Sequence, residues 1–109
     1  MQVGIDSFAA FHVDTKKSAS SSERLQRLVE NIEYADQIGL VVFGVGEHHR
    51  HGFLVSAPAV ILGASSARTI NIRLTSAVTF LSAADPVRIF QDFASLYLLS
   101  LGRVEMVVG

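Results

Sequence analysis

Cysteine and tryptophan are absent from the 109 residues, proline occurs twice, and charged residues make up only 17%. Without cysteine there is no disulfide framework, no thiolate metal site and no cysteine nucleophile. Nine Lys and Arg stand against ten Asp and Glu, a formal net charge of −1. The basic excess that marks a nucleic-acid binder is therefore missing. No apolar run approaches the ~18 residues of a membrane-spanning helix. Residues 1–10 lack the basic start of a secretory signal and carry Asp6 inside their apolar stretch. These absences predict a cytoplasmic protein that meets neither membrane nor nucleic acid. What is abundant is apolar: 50% of the residues are hydrophobic, and the mean hydropathy is +0.40. The length suits one small domain or a piece of a larger one. Small domains bury a limited fraction of their surface, so this much apolarity predicts faces that want a partner.

Four short apolar runs recur at residues 1–5, 40–45, 70–78 and 104–109, rich in β-branched residues and bounded by glycine or polar turns. They read as strands. Helical patterns separate them. Ser20 and Glu23 offer a capping box, and Leu25, Leu28, Val29, Ile32, Ala35 and Ile38 follow as an apolar stripe. Gly39 stands where a left-handed helix end belongs. Ser56-Ala57-Pro58 starts a second helix that runs to about Ala67, with proline in the first turn. Asp85-Pro86 repeats the device, and Val87, Ile89, Phe90, Phe93, Ala94, Tyr97 and Leu98 supply the expected buried face before Leu101-Gly102 ends the third helix.

The order β-α-β-α-β-α-β implies parallel strands with right-handed crossovers. Two architectures fit, an open doubly wound sheet and part of a (β/α)8 barrel of ~250 residues. A chain that closes on a fourth strand with nothing to cover it favours the N-terminal half of the barrel. Such a half has two open apolar edges, the first strand and the fourth, and open edges template pairing with other chains. The isolated chain is expected to self-associate or to be partly unfolded.

Both architectures bind ligands at the carboxyl ends of their strands, and the polar residues fall there. The first strand ends in Asp6-Ser7-Phe8 and the second in Glu47-His48-His49-Arg50-His51. The third carries Thr75-Ser76-Ala77 near its end, and the fourth ends at Gly109. The opposite loops, around Gln37-Ile38-Gly39 and Arg68-Thr69, lack such a cluster. Three of the four histidines lie within residues 48–51, and histidine acts as acid, base or donor near neutral pH. His49-x-His51 with Glu47 also has metal-ligand spacing. Against a metal stands the shortage of ligands at the other strand ends, and adjacent His48 and His49 on an extended chain point opposite ways. Glu47 alternatively pairs with Arg50 or Arg73. Small residues at 75–77 either admit a flat ligand or pack under a helix. Phe8 and Phe11 either wall an apolar pocket or belong to the core.

Gly44-Val45-Gly46-Glu47-His48-His49, Arg73-Leu74-Thr75-Ser76-Ala77-Val78-Thr79 and Asp85-Pro86-Val87-Arg88 together resemble the bacterial-luciferase-like family of flavin-dependent monooxygenases and oxidoreductases. Gly4-Ile5-Asp6-Ser7-Phe8 at the start fits it too, as do Leu98-Leu99-Ser100 and Gly102-Arg103 near the close. The resemblance covers essentially the whole chain and implies the N-terminal portion of a (β/α)8 TIM barrel, about four of its eight strands. It implies a single luciferase-like domain fragment over residues 1–109, acting in the full protein on a small organic substrate with reduced flavin and O2. By the same resemblance His48 is the catalytic residue. Glu47, Ser76, Ala77 and Gly109 border the cofactor, Phe8 and His49 the substrate pocket, and no metal is needed. The implied cofactor is reduced flavin mononucleotide (FMN), with a deazaflavin coenzyme and hydride transfer as the alternative. An inert fragment or interaction module is the reading from another class. The partners implied are the flavin, the substrate and further copies in a homo-oligomer. A non-proline cis peptide is implied between Ser76 and Ala77. The family continues beyond the position of Gly109 into a further half barrel that carries most of its phosphate-binding loops. Val41 and Tyr97 stand where members commonly show Asp, and Leu101 where they commonly show Gly.

Overall fold

Capping chemistry sets the helices as the spacing predicts. The computed structural model describes residues 4–7, 20–46, 57–79 and 85–109. Ser20 Oγ accepts the Glu23 N–H at 3.2 Å and opens α1, Ser21–Gln37. Gly39 follows it at φ +89°, a conformation that costs glycine little. Pro58 opens α2, Pro58–Arg68, with no side-chain cap from Ala57. Asp85 accepts the Val87 N–H at 2.9 Å and opens α3, Pro86–Leu99. The chain then turns through Leu101 at φ +56° and Gly102 at φ +83°, with Gly102 N–H donating to Tyr97 O at 2.8 Å. A left-handed leucine costs ~1–2 kcal/mol. That is the physical reason for the glycine implied at position 101 by the family resemblance.

The strands among the described residues are β1 (Gly4–Ser7), β2 (Val42–Val45), β3 (Arg73–Ser76) and β4 (Val104–Glu105), the last three shorter than the apolar runs that hold them. They form one sheet in the order β1-β2-β3-β4, parallel throughout. In register, Phe43 faces Leu74 and Leu74 faces Val104. These side chains join one buried cluster with Leu28, Val29, Ile32 and Ala35 of α1, Ile61 and Leu62 of α2, and Leu96 of α3. All three helices therefore pack on the same face. Strand side chains alternate between faces, so the opposite face carries Arg73, Thr75 and Glu105, each partly or fully exposed. Arg73 Nη1 and Glu105 Oε1 stand 3.4 Å apart there. A doubly wound sheet places helices on both faces and reverses its strand order. Sequential order with one helical layer is the winding of a (β/α)8 barrel, and the chain forms the N-terminal part of one. No helix among the described residues is long and apolar enough to cross a membrane.

The expected buried face of α3 needs correction. Only Ile89 and Leu96 of this helix are buried, and Phe93 packs partly against the core. Val87, Phe90, Tyr97 and Leu98 are exposed, Leu98 at 74%. The helix is apolar on two sides, and the sheet and α2 cover only one. Ile38 at the end of the α1 stripe and Ile70 at the start of the third apolar run are likewise exposed.

The amino-terminal end of the sheet also departs from expectation, because its loops do hold a polar cluster. Asp36 accepts the backbone N–H groups of Ile70, Asn71 and Ile72 at 2.8–2.9 Å. Half-buried Arg103 spends its guanidinium on the carbonyls of Ser66, Thr69, Ile72 and Ser100 and on Thr69 Oγ1. Burial acts to raise the Asp36 pKa, but the three backbone donors and the Arg103 charge outweigh it and hold the group below its ordinary 3.8. A lowered folded-state pKa adds stability above the unfolded value and loses it as pH falls through the folded one. Wild-type protein should therefore lose stability more steeply than Asp36→Asn below about pH 4. Urea melts of both across pH 2–7 check this, and parallel curves would contradict it.

Candidate functional site

The carboxyl ends of the strands converge on one rim. β1 ends at Ser7, opposite Val45, and β2 leads into buried Gly46. Ala77 N–H donates to Val45 O at 2.9 Å, which ties the exit of β3 to the end of β2. Ser76 Oγ donates to Val107 O at 3.0 Å and accepts Val107 N–H at 3.1 Å. Farther along, Thr79 pairs with Val108 in an isolated parallel bridge. Thr79 N–H donates to Val107 O at 2.7 Å, and Gly109 N–H donates to Thr79 O at 3.1 Å.

Three of the sequence-predicted site residues lie on this rim. Ser76 is fully buried, Ala77 is half-buried and Gly109 is exposed. Gly109 lies so near Val78 that a Cβ there would stand 2.7 Å from Val78 Cγ2. Only glycine lets the chain pass that closely without displacing valine. The cis peptide lies between Ala77 and Val78, one bond later than expected between Ser76 and Ala77. Ser76 is still paired with Val45 as the last residue of β3, so the chain leaves the strand only after it. Glu47, His48, His49 and Phe8 lie outside the described residues, as do Phe11, Arg50 and His51. Among the described residues no group of three His, Asp or Glu side chains could hold a metal ion.

Thr79 is the site residue to which sequence reasoning gave no role. It is 4% exposed, and its hydroxyl finds no hydrogen-bond partner among the described residues. Leaving such a group unpaired costs ~1–3 kcal/mol, so an unpaired hydroxyl beside a strand end suits a ligand that completes it. The signal available in the sequence was its place just after the small residues 76–77. The described rim thus combines half-buried Ala77, close backbone approach at Gly109 and a Thr79 hydroxyl without a partner among the described residues. These fit the face of a flat ring system with polar edge atoms.

A parallel sheet wound in sequential order, with its described helices on one face, has the winding of a (β/α)8 barrel. Residues 1–109 match the luciferase-like monooxygenase family, and the chain belongs to that family. It is 33% identical over 91 residues to N-acetyl-S-alkylcysteine monooxygenase of Bacillus subtilis strain 168, covering 83% of this chain and 27% of the relative. Among solved structures it superposes on monooxygenase RslO1 from Streptomyces bottropensis with TM-score 0.90 and 26% identity, covering all of this chain and 33% of that one. The oxygenating constituent of 3,6-diketocamphane monooxygenase from Pseudomonas putida, in complex with FMN, matches at TM-score 0.84 and 19% identity. It is covered over 29% of its length by 100% of this chain. The coenzyme F420-dependent tetrahydromethanopterin reductase of Methanopyrus kandleri matches at TM-score 0.77 and 17% identity, covered over 26% of its length by 99% of this chain. The last two show the shared fold. The chain spans a quarter to a third of the length of these proteins.

Proposed function

We propose that residues 1–109 are the N-terminal part of a flavin-binding barrel whose whole protein is a flavin-dependent monooxygenase or oxidoreductase acting on a small organic substrate. The observation that carries this reading is the rim at the exit of β3, where the buried Thr79 hydroxyl has no partner among the described residues, Thr79 O accepts Gly109 N–H, and Gly109 closes on Val78. Family membership over the whole chain supports it, as does the FMN complex of a protein with the same fold. The cofactor is FMN in this reading. The deazaflavin alternative draws on the F420-dependent neighbour. A reduced flavin, when bound, supplies the electrons with which O2 oxidises the substrate.

The chain's own residues bind, orient and protonate. The main chain of residues 76–78 and Gly109 would border the ring face, and the Thr79 hydroxyl would bond a polar edge atom. Glu47 would stand beside the ring, His48 would exchange the proton, and Phe8 and His49 would meet the substrate. The protein works in the cytoplasm and pairs with further copies of itself. The uncovered apolar side of α3 supports that pairing.

The test is an FMN titration of the 109-residue chain by flavin fluorescence. Expected is saturable but weak binding, with Kd above ~10 µM, because the described residues offer the phosphate few contacts. Sedimentation of the same sample should give a mass above the 11.8 kDa monomer. Complete absence of binding at millimolar FMN would contradict the flavin reading. Submicromolar binding would place the phosphate contacts within this chain, contrary to the account.

A further inference from the structure

Between two pairings of β3 with the last strand the register slips. Thr75 faces Glu105, whereas Thr79 faces Val108. Residues 76–78 thus lie opposite residues 106–107, one extra residue on the β3 side, which defines a bulge. In a regular parallel ladder Ser76 would face Met106, and its carbonyl would accept the Val107 N–H. Instead that N–H goes to Ser76 Oγ at 3.1 Å, and the same hydroxyl donates to Val107 O at 3.0 Å. The side chain stands in for the main chain at the point where the ladder breaks. It is fully buried, so its hydroxyl is spent on Val107 rather than offered to a ligand.

We propose that Ser76 is a positioning residue: its hydroxyl clamps both polar groups of Val107 across the bulge, and so holds residues 77–79 and Gly109 in the arrangement that receives the ligand. Past the clamp the ladder resumes, with Thr79 N–H on Val107 O at 2.7 Å and Gly109 N–H on Thr79 O at 3.1 Å. Val107 is the hinge of that resumption, because its carbonyl receives both Ser76 Oγ and Thr79 N–H. The ligand part of this inference rests on the flavin reading; the clamp itself does not.

The other end of the same strand pair supplies a control. Ser100 is equally buried, and its hydroxyl accepts the N–H groups of Arg103 and Val104 at 3.1 and 3.2 Å, away from the rim. Ser76→Ala, Ser76→Thr and Ser100→Ala are compared with wild type by residue-resolved hydrogen exchange, and each is titrated with FMN. In Ser76→Ala the Thr79 and Gly109 amides should exchange at least ~10-fold faster relative to the Leu74 amide, as local opening requires. FMN affinity should fall ~5-fold, the equivalent of one hydrogen bond. Ser76→Thr, which keeps the hydroxyl, should restore both. Ser100→Ala should accelerate the Thr79 and Gly109 amides no more than the rest of the sheet and leave the FMN affinity unchanged. Uniform acceleration across the sheet in Ser76→Ala, matching Ser100→Ala, would overturn the proposal. Unchanged FMN affinity in a locally opened Ser76→Ala would overturn its ligand part. Local opening with no FMN response in wild type would uphold the clamp and overturn the flavin reading instead.

Discussion

Arg103→Ala should lower the unfolding free energy of the chain by ~3 kcal/mol or more. The side chain makes five hydrogen bonds, with donor–acceptor distances from 2.8 to 3.3 Å. They join the end of α2, the approach to β3 and the turn before β4. Truncation removes all five and also the positive charge that helps hold Asp36 ionised. Arg103→Lys should recover only part of the loss, because a point charge cannot spread donors over several carbonyls. Urea unfolding followed by circular dichroism is the measurement. A loss under ~1 kcal/mol would mean that water replaces these bonds at little cost. Glu33 and Arg68 offer a contrast on the same protein. They form an ion pair at 2.7 Å between side chains 32% and 47% exposed, and such exposed pairs contribute ~0–1 kcal/mol.

The second large effect is on turnover. In a protein carrying the whole barrel, His48→Ala should reduce turnover ~10²–10⁴-fold, the usual range for loss of a positioned acid or base. His51→Ala, three residues farther along the same segment, should have a much smaller effect. Steady-state rates of both variants with reduced flavin decide the matter. Small and equal losses would remove His48 from the catalytic role.

The helix starts were legible because each rests on a local device. Ser20 reaches three residues forward, and Asp85 reaches two. Parallel pairing was legible too, since alternation of strand and helix leaves little else. The inner face of α3 was not. Val87, Phe90, Tyr97 and Leu98 have the helical spacing of a core stripe, yet periodicity cannot say which of two apolar sides meets the sheet. Leu96, which does meet it, was absent from the expected face for the same reason. The polar network of Asp36 and Arg103 escaped notice because Asp36 accepts from main-chain amides and Arg103 donates mostly to main-chain carbonyls, which no side-chain pattern reveals. The rim was half legible. Small residues 76–77 and Gly109 stood out, whereas the role of Ser76 depends on a register slip that exists only once two strands are paired. The value of Thr79 depends on a bond it does not make among the described residues.

The proposal that the carboxyl rim of this sheet receives a flavin ring can be read out atom by atom. The FMN titration is followed residue by residue through amide chemical shifts. Gly46, Ala77, Val78, Thr79, Val108 and Gly109 should shift together along one saturation curve, while amides at the opposite end, such as Ile70, Asn71 and Ile72 on Asp36, stay in place. Shifts centred on the Asp36–Arg103 end, or spread over the exposed side of α3 without change at Thr79, would contradict it.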